Sequence, residues 1–286
     1  MASYDNSRYT YGQVLAGGGY YMKDDNLRYS AGVLQMQSKL NKAGFWCGTV
    51  DGKFGAGTDE AVRHFQRAFN LTVDGKAGKG TLSKLDVVSS SSPGFIKTSG
   101  TYGIYFDSEN KCFMHNQQIV YLQLRSAKLE KKVVAAIMGN IEAESKFRTT
   151  WTSGTSSAGI CQWLPDRKTN LEKYAASISD EKTSIHVQAK FILEECKAGI
   201  YGDAGAIECL KALKETSVAS DIIKATDYFT ALYERCENYS SLSEAQAAGR
   251  DTSRFAKNVY DERYYLDTPK RRGYAQAYYA CMSDMT

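Results

Sequence analysis

The stretch Val133-Val-Ala-Ala-Ile-Met-Gly-Asn-Ile-Glu-Ala-Glu-Ser-Lys-Phe147 limits what this chain can fold into more than any other. At about 100° per residue, Val133, Val134, Ile137, Met138 and Ile141 share one helical face, with Glu144 roughly 50° from its centre and Glu142 roughly 110° away. An amphipathic helix keeps carboxylates off its apolar stripe, so Glu144 stands where packing would have chosen Leu or Ile. A carboxyl among apolar neighbours has its charged form disfavoured. Raised from about 4.3 toward about 6, its pKa lets it hold a proton near neutral pH and deliver it to a leaving oxygen, the role of a general acid in glycoside cleavage. Periodicity alone equally allows a carboxylate that turns to water at the helix end.

A second constraint lies upstream. Asp51-Gly-Lys-Phe-Gly-Ala-Gly-Thr58 returns as Asp74-Gly-Lys-Ala-Gly-Lys-Gly-Thr81, and each copy reads as a turn followed by a helix start. Asp-Gly supplies the turn, the later glycines allow positive φ, and Thr58 or Thr81 is placed to N-cap the helix after it. Ala61, Val62, Phe65, Ala68 and Phe69 then recur at helical spacing, as Val33, Met36, Gln37 and Leu40 do earlier. The expectation is a three-helix unit over 31–88. Before it, residues 1–30 are rich in Tyr, Gly and polar side chains and read as an irregular arm. After it, the serine-rich stretch within 89–98 reads as a linker.

With 286 residues the chain has room for about two domains, and 43% hydrophobic with 24% charged residues is an ordinary globular balance. A net charge of +4 is too small to argue for nucleic acid, though it suits an anionic wall. No apolar run approaches the roughly 18 residues of a membrane span, and residues 1–10 lack a signal-peptide core. The reading is a protein made in the cytoplasm without a signal peptide and without membrane insertion. Seven cysteines without C-x-x-C spacing read as free thiols. The three histidines have no zinc-ligand spacing, so neither metal nor cofactor is expected.

Gly139-Asn-Ile-Glu-Ala-Glu-Ser145, Gly159-Ile-Cys-Gln-Trp163, Arg167, and the later Phe229-Thr-Ala-Leu-Tyr-Glu-Arg235 resemble the phage tail lysozyme family. That family is a branch of the lysozyme-like fold, which also holds goose-type lysozymes and lytic transglycosylases. The resemblance implies that Glu144, in the Glu-Ser pair ending a buried helix, is the catalytic acid. It also implies a sugar cleft lined by Gly159 and Gln162. Trp163 is expected to offer an indole face to sugar; Ser153 and Tyr233 are weaker candidates for the same cleft. Cys161 and Cys236 depart from the family pattern.

The 31–88 unit, with Ala61-Val-Arg-His-Phe-Gln66 and Leu71-Thr-Val-Asp-Gly75, resembles the peptidoglycan-binding type 1 module. The expected fold is therefore mostly α: a small three-helix wall-binding domain followed by an α-helical lysozyme-like domain over 99–286. The implied activity is cleavage of the β-1,4 bond between N-acetylmuramic acid and N-acetylglucosamine in cell-wall peptidoglycan. A lytic transglycosylase on the same bond and a non-catalytic wall-binding or tail structural protein are the alternatives. The implied routes to the wall are holin-dependent release or a phage tail assembly. Asp166, Asp227 and Glu234 are unranked candidates for a second carboxylate. Arg167, Arg235, Arg271 and Arg272 read as ion-paired or solvated.

Overall fold

The computed structural model describes residues 4–45, 47, 49–69, 71–91, 96–97, 101–107, 112–149, 157–283 and 285. The chain divides into two compact units, one of Met1–Ile96 with Tyr105–Asn116 and one of Lys97–Ile104 with Gln117–Thr286. Ser153, and residues 92–95 and 98 of the serine-rich 89–98 stretch, lie outside the described residues.

The first unit runs α1 (Tyr11–Ala16), β1 (Tyr20–Tyr21), α2 (Ala31–Lys42), α3 (Ala56–Ala68), β2 (Ala77–Gly78) and α4 (Lys79–Ser91). Its core gathers Val33, Met36, Leu40, Val62, Phe65, Leu82 and Leu85, the positions that helical periodicity singled out in α2 and α3 among them. The sequence repeat has one physical cause. Gln37 Oε1 accepts from the backbone N–H of Asp51 (3.1 Å) and Gly52 (2.8 Å), while its Nε2 donates to the Lys53 carbonyl (3.0 Å) and Thr58 Oγ1 (3.0 Å). Gln66 repeats this with Gly75 N–H (3.0 Å), the Lys76 carbonyl (3.1 Å) and Thr81 Oγ1 (3.3 Å). Each Asp-Gly loop is wound around a buried glutamine amide that satisfies its polar groups. The threonines belong to these hubs. Both lie two residues inside their helices, so neither is the N-cap that the sequence suggested.

Among residues 4–30, the arm expected to be irregular holds regular elements between Asn6 and Tyr21. Thr10 and Gln13 form a capping box at the start of α1, β1 pairs antiparallel with β2, and Tyr11, Val14 and Tyr21 join the core. α4 continues through Ser91, so the first serines of the expected linker are helical.

Next in the chain come β3 (Ile96–Lys97), β4 (Tyr105–Asp107) and β5 (Cys112–Phe113), with Phe106 paired to Phe113. Residues 105–116 group with the first unit, so a single boundary at 89–98 does not divide the chain.

The second unit contains α5 (His115–Ser126) from Gln117 onward, α6 (Lys131–Glu144), α7 (Pro165–Ser177), α8 (Ile185–Glu195), α9 (Ala204–Leu213), α10 (Thr216–Ala219) and α11 (Ile222–Tyr228). A π-helical segment (Phe229–Glu234) extends α11; β6 (Asn238–Tyr239), α12 (Leu242–Ala247), β7 (Phe255–Lys257), β8 (Tyr264–Leu266) and α13 (Thr268–Ser283) complete it. Residues 264–266 do not belong to the last helix. They instead form the centre of a three-stranded antiparallel sheet in the order β6-β8-β7, and α13 begins only at Thr268.

α6 is the axis of this unit. Every residue from Val133 to Ile141 is buried, so it has no polar face. α13 packs along it antiparallel, clamped at both ends: Lys131 Nζ donates to the carbonyls of Met282 (3.0 Å) and Met285 (2.5 Å), and Lys270 Nζ to that of Ala143 (3.0 Å). Gly139 makes the close crossing possible, since a Cβ there would stand 2.5 Å from the Ala275 backbone nitrogen and 2.7 Å from its Cα. Gly139→Ala is therefore expected to lower unfolding stability by about 1–3 kcal/mol despite the higher helix propensity of alanine. A denaturant melt checks this, and unchanged stability would mean that α13 can shift outward.

Candidate active site

The site begins where α6 stops. Lys146 (φ 54°) and Phe147 (φ 57°) enter the left-handed region and end the helix just after Glu144. Ser145, the C-cap, is buried and donates from Oγ to the Ile160 carbonyl (2.7 Å), fixing the helix end to the 158–163 turn. The Glu-Ser pair thus has a mechanical logic: the serine anchors the wall beside the carboxylate.

Glu144 is half-buried, its side chain 21% exposed, and ion-paired with the buried Arg271. Arg271 also donates from Nη1 to Asn140 Oδ1 (3.0 Å), one helical turn back on α6. Asn140 is fixed in turn by Thr230 Oγ1 (2.8 Å) and by its own donation to the Ala136 carbonyl (3.0 Å). Cys236 Sγ lies 3.7 Å from Glu144 Oε1, and burial pushes that thiol's pKa up. Glu142 is not on an exposed side of the helix. It accepts from the buried Tyr278 hydroxyl (2.8 Å), and burial raises its pKa.

The second wall is the turn from Ala158 to Trp163, closed by reciprocal backbone hydrogen bonds between those residues (3.1 and 2.8 Å). Gly159 has φ 75°, and a Cβ there would lie 2.7 Å from the Trp163 ring and 2.9 Å from Gln188 Oε1. Only glycine fits. Gln162 is held at φ 48°, a conformation that is costly for a side-chain-bearing residue. Its Nε2 donates to the Gly159 carbonyl (2.9 Å) and its Oε1 accepts from Ser157 Oγ (2.9 Å), so the amide clamps its own turn.

Trp163 and Tyr233 stand apart from the cleft. Both are fully buried, and both donate to Glu195 Oε2, Trp163 from Nε1 (2.7 Å) and Tyr233 from its hydroxyl (2.5 Å). Arg167 grips the same carboxylate with two parallel bonds of 2.7 and 2.9 Å, and also donates to the Tyr233 carbonyl (2.8 Å). This places the indole and phenol that the sequence assigned to sugar contact in a buried polar knot behind the turn. Hydrogen-bonded burial explains them without a ligand.

Of the three candidates for a second carboxylate, Asp166 is exposed at the start of α7. Asp227 is fully buried, paired with Arg272 and accepting the Val259 N–H (2.8 Å), which makes it a fold contact. Glu234 differs. Its Oε1 is buried with no hydrogen-bond partner among the described residues. Desolvation, followed by the negative charge of Glu144, drives its pKa well above the usual carboxylate range.

The family model for phage tail lysozyme matches residues 115–282, the span that carries this whole arrangement. The chain belongs to the phage tail lysozyme family. A peptidoglycan binding domain model matches residues 29–85, within the first unit. Among curated proteins, a spore cortex-lytic enzyme of Bacillus cereus is 51% identical over 53 residues, covering 18% of this chain and 20% of that protein. A spore cortex-lytic enzyme of Oceanobacillus iheyensis is 45% identical over 53 residues (18% and 19%). An N-acetylmuramoyl-L-alanine amidase of Mycobacterium tuberculosis is 40% identical over 62 residues (22% and 15%). The chain thus spans about a fifth or less of the length of these relatives.

Within the phage tail lysozyme domain, the structure brings Glu144, Ser145 and the Gly159 to Gln162 turn together. It also adds Asn140, Arg271 and Glu195, which the sequence reading had not assigned to the site. Two of these had a legible signal: Asn140 interrupts the apolar run of α6, and Glu195 ends the apolar run of α8.

Proposed function

We propose that this chain is a peptidoglycan glycosidase that cleaves the β-1,4 bond between N-acetylmuramic acid and N-acetylglucosamine, with Glu144 as the carboxyl that protonates the leaving oxygen. The observation that carries this is the half-exposed Glu144 at the end of a buried helix, anchored through Ser145 to a strained glycine turn inside a phage tail lysozyme domain. Arg271, buried and hydrogen-bonded on several sides, holds the carboxylate in one place, which is the preorganisation that proton delivery needs. The segment matching the peptidoglycan binding domain brings the chain to the wall. Carriage in a phage tail assembly fits the family name better than holin-dependent release of a free endolysin.

The test is mass spectrometry of fragments released from purified walls. The expected products are disaccharide-peptides cut on the glycan strand. A reducing muramic-acid end marks attack by water, and a 1,6-anhydro end marks attack by the sugar's own 6-hydroxyl, so one spectrum separates hydrolysis from lytic transglycosylation. Products cut only at the amide between muramic acid and the stem peptide would overturn the assignment, and intact walls would favour a non-catalytic tail protein.

A further inference from the structure

Glu144 lies in an enclosure whose charges do not balance. Arg271 from α13 faces Glu144, and Arg167 from α7 is committed to Glu195 on α8. Glu234, at the end of the π-helical segment, stands between Tyr233, which bonds Glu195, and Cys236, which touches Glu144, and the charges of all four groups act on it. Two guanidinium groups therefore meet three carboxyls, and the remaining neighbours, Cys161, Cys209 and Cys236, are thiols whose ionisation burial opposes. A third negative charge would be left without a partner in a place where Glu234 Oε1 already makes no hydrogen bond among the described residues. Burying an uncompensated charge is costly, so the enclosure balances when the three carboxyls retain one proton between them.

Chain geometry says which carboxyl can share it with the reaction. Cys236, two residues after Glu234, touches Glu144 at 3.7 Å, which sets this segment against the end of α6. Glu195 is already saturated by Arg167, Trp163 and Tyr233. We propose that Glu234 is the partner carboxyl of Glu144: it stores the proton in the resting site and passes it through Glu144 to the glycosidic oxygen.

In the cycle this implies, the proton moves from Glu234 to Glu144 and on to the leaving oxygen as the C1–O4 bond breaks. The acceptor hydroxyl, from water or from the sugar itself, then bonds to C1 and returns one proton to the pair, which restores the starting state. Glu234 acts through Glu144 and is a positioning residue. The proposal rests on the glycosidase reading, and its tests are chosen to separate the two.

The first test does not depend on activity. In the full-length chain with 13C-labelled glutamate carboxyls, one signal should titrate near pH 8, where burial and the Glu144 charge place Glu234, and it should vanish in Glu234→Gln. If no glutamate titrates above about pH 7, a carboxyl's ordinary range being near 4.3, the proposal fails whatever the protein does to walls.

Folding supplies a second readout. Between the unfolded value, near 4.5, and about 8, native Glu234 keeps a proton that the unfolded chain has released, so stability should decline as pH rises through that window. Glu234→Gln should flatten the decline.

The third test is the pH–rate profile on walls. Wild type should lose activity on an alkaline limb near the pair's upper titration. Glu234→Gln should move that limb at least one pH unit toward acid, with a rate about tenfold lower at pH 7.5 that recovers at pH 5. A rate lowered by the same factor at every pH would mean a structural role only, and an unchanged profile would remove Glu234 from the reaction. If wild type releases no glycan fragments, the glycosidase reading fails while the titration still decides the carboxyl pair.

Discussion

Glu144→Gln should lower turnover on purified walls by about two to four orders of magnitude, the usual range for loss of a positioned acid, with wall binding unchanged. Glutamine keeps the size of the side chain and can still accept a hydrogen bond, but it cannot give up a proton as a carboxylic acid does. Its effect on stability is the sharper discriminator. Read from the sequence alone, Glu144 is a strained carboxyl whose neutralisation would return up to about 2 kcal/mol. The Arg271 pair reverses that sign. Replacing the carboxylate leaves a buried guanidinium with weaker compensation, so Glu144→Gln should lose about 1–3 kcal/mol. Glu142→Gln is the control. Tyr278 holds that carboxyl away from the cleft, so activity should stay within a few-fold. If the two variants exchange their kinetic outcomes, Glu142 is the acid. If both stay active, the chemistry lies elsewhere in the chain.

Much of this architecture was legible because its signals are local. The 3.6-residue spacing of Val33, Met36 and Leu40 gave α2, whose buried face follows that period, and that of Val133, Ile137 and Ile141 gave α6, which is buried on every side. The Asp-Gly repeat was visible as a pattern, but its cause was not. The glutamine hubs are read only once Gln37 and Gln66, which lie outside the repeated octapeptides, are brought to the loops by folding. The arm was misread because its tyrosines hid a local signal that was present, Thr10-Tyr-Gly-Gln13, a capping box directly before Val14.

The site divides along the same line. Glu144 and the Gly159 turn, singled out by their motifs, stand beside one another in the fold through the Ser145 bond to Ile160. The account of Glu144 as a lone carboxyl on an apolar stripe was not supported, because α6 is buried all round and its acidic end is matched by Arg271, over a hundred residues later. Charge pairing across that distance leaves no periodic trace. The ranking of Glu234 above Asp166 and Asp227 has the same origin, since it depends on what each carboxyl meets: Arg272 for Asp227, water for Asp166, and for Glu234 Oε1 no hydrogen-bond donor among the described residues.

Trp163 and Tyr233 expose the ambiguity of aromatic residues near a motif, and Glu195 is the residue on which their role can be decided. Glu195→Gln removes the charge that Arg167 grips at 2.7 and 2.9 Å, and replaces one carboxylate oxygen with an amide that competes with the Trp163 and Tyr233 donors. Breaking one partner of a buried ion pair costs about 3–5 kcal/mol because the other charge stays behind. For a unit of this size that is a fall in melting temperature on the order of 10 °C. The double change Glu195→Gln with Arg167→Met, which removes both charges and keeps an acceptor for the Trp163 and Tyr233 donors, should recover a large part of the loss, since the uncompensated buried charge is gone. Thermal melts of the two variants, set beside their rates on walls below the transition, separate the two roles. If Trp163 and Tyr233 act only as supports, the double variant should regain activity together with stability. A double variant that is stable but inactive would mean that the knot contributes to sugar recognition, and that burial in the unliganded protein conceals a surface the substrate opens.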